Sequence, residues 1–209
     1  VSETLEFIDF GAGKGQSFDF AATCAPGPGL AIDKSEDAVL QCHQKGINAE
    51  LADVLDFDRR NLAASAFAIN LLPEMPGQAA FRQALVNIVR SATQFAVIQH
   101  PFFDKDGDLA LKGLQIADHF DKRVLYKPTM ADYVNFLSTY KDALAISGFA
   151  ICTSGQVVAT PIPHVPSNAD ETRAAKTIRV IIGRKSTSRF RRAMFRAQTG
   201  KTVFQWEGE

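Results

Sequence analysis

The stretch LEFIDFGAGKGQSFDFA, residues 5–21, places Asp9 just ahead of three alternating glycines, Gly11, Gly13 and Gly15. Glycine lets the backbone turn sharply and lets a ligand approach with no Cβ in the way. Gly11, Ala12 and Gly13 therefore make a floor for something flat or bulky. Gly15 lets a following helix pack close to the sheet. The acid decides which kind of ligand. A carboxylate at Asp9 repels a pyrophosphate and attracts a cation carrying an amino group. The spacing agrees. A dinucleotide loop reads G-x-G-x-x-G, whereas here the spacing is G-x-G-x-G and position 16 is Gln. A P-loop is excluded, because GAGKGQS lacks the four-residue spacer and the Gly-Lys-Ser/Thr order.

Such a loop works where a strand of an open parallel sheet hands over to a helix, at the point where strand order reverses. The remaining pattern supplies that setting. Residues 5–10 read as a buried strand and 14–22 as a helix, with GPG at 27–29 as a turn. LAIDKS is a second strand, and Ser35 can cap a helix that Gly46 stops. Residues 49–52 form a short third strand, 66–73 a fourth ended by Pro73, and 94–103 a fifth. QAAFRQALVNIVRSA, residues 78–92, has helical apolar spacing. Residues 104–128 fit no simple element. A helix follows, capped by Thr129 and stopped by Gly148. Two late strands, 150–160 and 176–186, are joined by a Pro-rich loop. Strands alternating with helices predict a mostly parallel sheet covered on both faces. The late strands predict an antiparallel hairpin at one edge.

Four stretches then gain meaning by their order. FIDFGAGKG, GLAIDKS, AELADVLDF and FAINLLPEM resemble the first four motifs of class I S-adenosylmethionine-dependent methyltransferases. YKPTMADYVNFLSTYKDALAISGFAI resembles a late stretch of many small-molecule members. The resemblance covers residues 5–100 well and 126–185 loosely. It implies a Rossmann-like α/β fold with a mostly parallel seven-stranded sheet, and S-adenosyl-L-methionine as cofactor. By it, the loop with Gly11, Ala12, Gly13 and Gly15 holds the methionine part, and Asp9 orients the amino group. Asp33, with Lys34 beside it, accepts from the ribose hydroxyls. Asp53 accepts from the adenine amino group and Val54 packs near the ring. Asn70 and Leu71 lie beside the cofactor. Asp33, Asp53 and Asn70 each also have a plainer structural reading: Asp33 beside a helix cap, Asp53 in a surface turn, Asn70 as a polar residue satisfied by backbone.

The chemistry so implied is an in-line methyl transfer in which the cofactor carries the reactive group and the protein supplies position and field. A base is needed only for a nucleophile that must lose a proton early. His100, ending the fifth strand, is the candidate general base, since its ordinary pKa lies near 6.5. Its plainer reading is a hydrogen-bonding residue before Pro101. Glu74, Phe103, His119 and Tyr126 are the candidate substrate residues, and 104–128 is the candidate lid. Asp118, His119 and Asp121 in DHFD read as solvated surface, so no metal is expected. The Asn/Asp-Pro-Pro-aromatic signature for methylating planar amines is absent, the fourth strand ending in NLLPE.

Bulk properties bound the rest. The chain has 209 residues, 46% hydrophobic and 22% charged, which suits one domain with a proper core. Lys and Arg balance Asp and Glu, so no global field recruits nucleic acid or an anionic membrane. Cys24, Cys42 and Cys152 form no C-x-x-C pair and read as reduced thiols of a cytoplasmic protein. No leader or membrane span is visible. The start at Val1, close to a strand and without Met, leads us to expect residues upstream. A methyltransferase domain over 1–186 and a basic segment over 187–209 are expected. Within 183–201, Phe190, Met194 and Phe195 interleave among basic residues, which reads as a solvated helix or a link to further chain. The expected function is methylation of a small molecule or saccharide-type O or N nucleophile. RNA methylation through the basic segment stands second, and a non-catalytic cofactor-binding module of a larger protein third.

Overall fold

The computed structural model describes residues 4–116, 119, 121, 123–161, 163, 173–184 and 201–207. Along them run β1 (Leu5–Phe10), α1 (Gln16–Cys24), β2 (Gly29–Asp33), α2 (Glu36–Gln44), β3 (Ala49–Leu51) and β4 (Ala63–Ile69). Then come α3 (Gln78–Ser91), β5 (Ala92–Pro101), α4 (Asp106–Leu111), β6 (Leu114–Gln115) and α5 (Met130–Tyr140). The last are β7 (Gly148–Val158), β8 (Thr160–Pro161), β9 (Arg173–Gly183) and β10 (Lys201–Glu207). The main sheet has the order β10-β7-β9-β5-β4-β1-β2-β3. Strands β3, β2, β1, β4 and β5 are parallel. β9 is antiparallel to both β5 and β7, which gives the expected edge hairpin. Strand order reverses between β1 and β4, so a crevice opens past their carboxyl ends.

Two-residue periodicity sorts β1 between two cores. Phe7 packs with Ala21 of α1 and with Phe67, Phe95 and Val97. Ile8 and Phe10 pack on the other face with Leu85 and Ile88 of α3 and Tyr133 and Phe136 of α5. Both faces are covered, as near-continuous apolar strands require. Caps fall where the sequence places them. The Ala38 N–H donates to Ser35 Oγ at 3.4 Å, and Thr129 and Asp132 form a capping box at the start of α5.

The structure departs from expectation at four places. β4 starts at Ala63 and ends at Ile69, because Asn70 turns left-handed at φ 60° and Pro73 lies in a short 3-10 turn. α5 stops at Tyr140, ahead of a turn that delivers the chain to β7. Segment 104–128 carries α4 and β6, and β6 pairs with β8 in a second small sheet. That sheet has its own core of Leu109, Leu114, Ile116, Ala159 and Ala174. Asp106 ties the segment together, hydrogen-bonding His119 Nδ1 at 2.7 Å and accepting from Lys127 Nζ at 2.6 Å. Finally, β10 adds an eighth strand, antiparallel to β7, from residues read as part of the basic segment. The helix expected within that segment falls on residues 185–200, outside the described residues. No helix among the described residues is long and apolar enough to cross a membrane.

Candidate functional site

The turn after β1 is built around glycines in backbone regions that side chains disfavour. Gly11 has φ 66° and Gly13 φ 53°. A Cβ on Gly11 would sit 2.8 Å from Leu71 Cδ1, whereas one on Gly13 would meet nothing within 4 Å. Gly11 is therefore glycine for packing, and Gly13 faces open space. The loop is stitched to β2. Gly11 and Ala12 N–H donate to Ile32 O at 2.8 and 3.2 Å, and Gly13 N–H donates to Asp33 Oδ2 at 2.8 Å. The other Asp33 oxygen accepts from Ser35 N–H at 2.9 Å. One carboxylate thus holds two turns in register, and its remaining lone pairs stay available. Asp53 makes a similar local turn, accepting from Leu55 N–H at 2.9 Å.

These turns surround a cleft of about 1360 Å³. Gly11, Ala12, Gly13, Asp33, Lys34, Asp53, Val54, Asn70, Leu71 and Glu74 all line it. Residues drawn from four separate strand ends converge there. Asp121, Arg123 and Val124 reach it from segment 104–128. That stretch is pinned over the crevice by Leu125 and Tyr126 N–H, which donate to Pro73 O at 2.8 and 3.1 Å.

Asp9 and Gly15 support the cleft without lining it. Asp9 is fully buried on the α1 face of β1, where Ser17 Oγ donates to its Oδ2 at 2.6 Å. Its Oδ1 has no partner among the described residues. Burial pushes the Asp9 carboxyl up to about 7, the Ser17 bond opposes the rise, and nearby Asp33 adds to it. Gly15 begins α1 at φ 87°, and a Cβ there would stand 2.6 Å from Ile47.

The structure does not bring His100 into the cleft. Parity along β5 turns Phe95, Val97 and Gln99 toward the α1 face and Ala96, Ile98 and His100 toward α3 and α5. His100 is fully buried, with Nδ1 2.7 Å from Pro101 O and Nε2 2.7 Å from Tyr133 Oη. Burial pushes its pKa down to about 4, with the Pro101 carbonyl opposing. It is a structural histidine. Three candidate substrate residues do not line the cleft either. Phe103 is buried, stacked on His100 and edge-on to His119. His119 is buried against Asp106. Tyr126 donates to Asp132 at 2.8 Å and packs on Phe81; burial and that bond push its phenol up to about 12.

Other cleft residues escaped the sequence reading, among them Ser17, Phe20, Met75 and Gln99. The signal for Gln99 was its polarity near the end of an apolar strand. Ser17 had none, because its partnership with Asp9 exists only once α1 folds back on β1. Asp118 lies outside the described residues. Among the described residues no three His, Cys, Asp or Glu side chains gather into a metal-binding group. The cysteines are free thiols, with Cys42 and Cys152 buried.

No protein-family model and no curated protein matches the chain by sequence. Solved structures do match. A SAM-dependent methyltransferase from Archaeoglobus fulgidus is 11% identical, with a TM-score of 0.62 over 86% of this chain and 86% of that one. The YcgJ protein from Bacillus subtilis is 11% identical, with a TM-score of 0.60 over 88% and 93%. Magnesium protoporphyrin IX methyltransferase from Synechocystis, solved with bound SAH, is 14% identical, with a TM-score of 0.57 over 87% and 74%. The chain has the class I methyltransferase fold. Within that fold, the glycine turn after β1 and the acids after β2 and β3 stand around the crevice at the switch point.

Proposed function

We propose that this protein is an S-adenosyl-L-methionine-dependent methyltransferase acting on a small-molecule O or N nucleophile. One observation carries the reading. Asp33 and Asp53 face a single cleft whose floor is Gly11–Gly13, and the buried Asp9, whose Oδ1 has no partner among the described residues, lies beneath that floor. The residues fit this cofactor. Gly13 leaves room for the methionine part, and Asp9 Oδ1, beneath the floor, is an unmet acceptor that a water can link to an amino group. Asp33 retains lone pairs for two ribose hydroxyls. Asp53 and Val54 flank the adenine end, and Asn70 and Leu71 the middle.

When bound, the cofactor would supply an electrophilic sulfonium methyl group for in-line transfer to the nucleophile. This chain's residues orient and enclose. The Asp33 bonds keep Gly13 and Ser35 fixed, so little reorganisation accompanies binding. Asp121, Arg123 and Val124 line the crevice from segment 104–128, where they can displace water from a bound ligand. Glu74 remains a cleft-facing carboxylate able to accept a proton from the nucleophile. His100 is closed off from that role by its burial.

Calorimetry with S-adenosylmethionine and S-adenosylhomocysteine tests the cofactor assignment, with micromolar affinity expected. Transfer of labelled methyl groups into a fractionated metabolite extract tests the activity. Absence of binding by either compound to the folded protein would refute the proposal.

A further inference from the structure

Gln99 presents a hydrogen-bond donor whose direction is fixed by its neighbour. It stands opposite Arg179 in the β5–β9 register, and it lines the cleft together with Phe20, Ile69 and Pro101. Arg179 Nε donates to Gln99 Oε1 at 2.9 Å, and Nη2 donates to the same oxygen. The guanidinium also lies over the Phe20 ring, 5.3 Å from its centroid. A guanidinium has donors and no acceptor, so an amide flip would set donor against donor. The oxygen therefore stays on Arg179, and the amide nitrogen is what Gln99 has left to offer. No described residue accepts from it.

The cleft carries charges of both signs. Asp33, Asp37 and Asp53 line the part assigned to the cofactor together with Lys14 and Lys34, Asp9 lies beneath it, and Glu74, Asp121 and Arg123 also line the cleft. The Gln99 end is backed by the Arg179 cation and walled by apolar side chains. Resting on the functional reading above, we infer that Gln99 is the specificity-determining donor for the methyl acceptor. The acceptor it selects carries a carboxylate on an apolar body. Arg179 is the positioning residue that keeps the Gln99 amide turned outward.

Benzoate, with benzyl alcohol as its uncharged match, is the probe. Each is titrated by ligand-observed NMR into the full chain loaded with S-adenosylhomocysteine. Gln99→Glu keeps size and a partner for Arg179 but replaces donors with acceptors. It is expected to weaken benzoate at least tenfold while leaving S-adenosylhomocysteine affinity within twofold. Gln99→Met, which cannot donate, gives the same result if the loss is one of donors. Arg179→Met frees the amide to turn and weakens benzoate severalfold; Arg179→Lys, which also only donates, restores most of the loss. A purely structural Arg179 would not separate these two variants. Benzoate binding no better than benzyl alcohol binding to loaded wild type, or equal benzoate binding by Gln99→Glu, overturns the inference. A parallel loss of S-adenosylhomocysteine overturns it too, by assigning the donor to the cofactor. Failure of wild type to bind S-adenosylhomocysteine sinks the functional reading itself, and this inference with it.

Discussion

Cofactor binding should release a proton, and Asp9 is the group that loses it. Its carboxyl is buried with one oxygen unpaired, and its pKa stands near 7 in the free protein. A bound ammonium favours the carboxylate form, so binding is tighter once Asp9 has ionised. With a pKa near 7, the ionised fraction grows from about 3% at pH 5.5 to about 75% at pH 7.5. S-adenosylhomocysteine affinity should therefore rise roughly twentyfold over that interval and flatten above it. The ligand's own amino group stays mostly protonated there, since such groups titrate near 7.7–8.0. Calorimetry in buffers of different ionisation enthalpy would count the released proton directly. Asp9→Asn should abolish the slope and bind weakly at every pH. Stability should move the opposite way. An acid whose pKa is raised on folding is harmless below about pH 4, where both states are protonated. It penalises the fold progressively as pH climbs to 7, by at most on the order of 4 kcal/mol. Asp9→Asn should thus melt higher than wild type at pH 8 and near it at pH 4. Affinity independent of pH from 5.5 to 7.5, or the same slope in Asp9→Asn, would refute this reasoning.

Asp33→Ala removes the acceptor of the Gly13 and Ser35 amides along with any ribose contact, so S-adenosylhomocysteine should bind about 100-fold more weakly. Calorimetry checks it, and unchanged affinity would remove Asp33 from the site. His100 is buried with a pKa near 4, below the unfolded value of 6.5. Neutral burial stabilises the fold above pH 6.5, and that contribution, about 3 kcal/mol, is lost as pH falls from 6.5 to 4. His100→Gln should flatten this acid limb in thermal melts while methyl transfer stays within severalfold of wild type. A hundredfold loss of kcat in a well-folded variant would return His100 to the chemistry. Arg184 donates to Leu144 O, Asn61 Oδ1, Arg90 O and Ala92 O, closing the end of α3. Arg184→Ala should lower unfolding stability by about 2–4 kcal/mol in urea titrations, with cofactor affinity unchanged.

What could be read from the chain was what short-range chemistry dictates. Alternating glycines after an acid have few backbone solutions, so the floor of the cleft was legible from residues 9–15. Asp33, Asp53 and Asn70 were legible because each ends a strand on the same side of a parallel sheet. His100 was misjudged by one position. Being near a strand end does not say which face a side chain takes, and the apolar run of β5 hides its own parity. Gln99 faces the cleft for the same reason that His100 does not. Phe103, His119 and Tyr126 were read as substrate residues because they lie in or beside segment 104–128, whose lack of periodicity hides where its side chains go. Its core depends on Ala159 and Ala174, contacts between residues far apart in the sequence. β10 was illegible because the basic residues and phenylalanines of 183–201 drew attention to a helix there and away from the short stretch after it.

The placement of β10 bears on how the protein is handled. β7 is 11 residues long and would be a flat, hydrogen-bonding rim if the chain stopped before Lys201. β10 covers its Gly148–Thr153 stretch, and the register slip between Thr202 and Phe204 breaks the regularity of the new outer rim. Clipping that last stretch, or crowding it with a fused purification handle, would uncover a template onto which a second molecule can add its own strand.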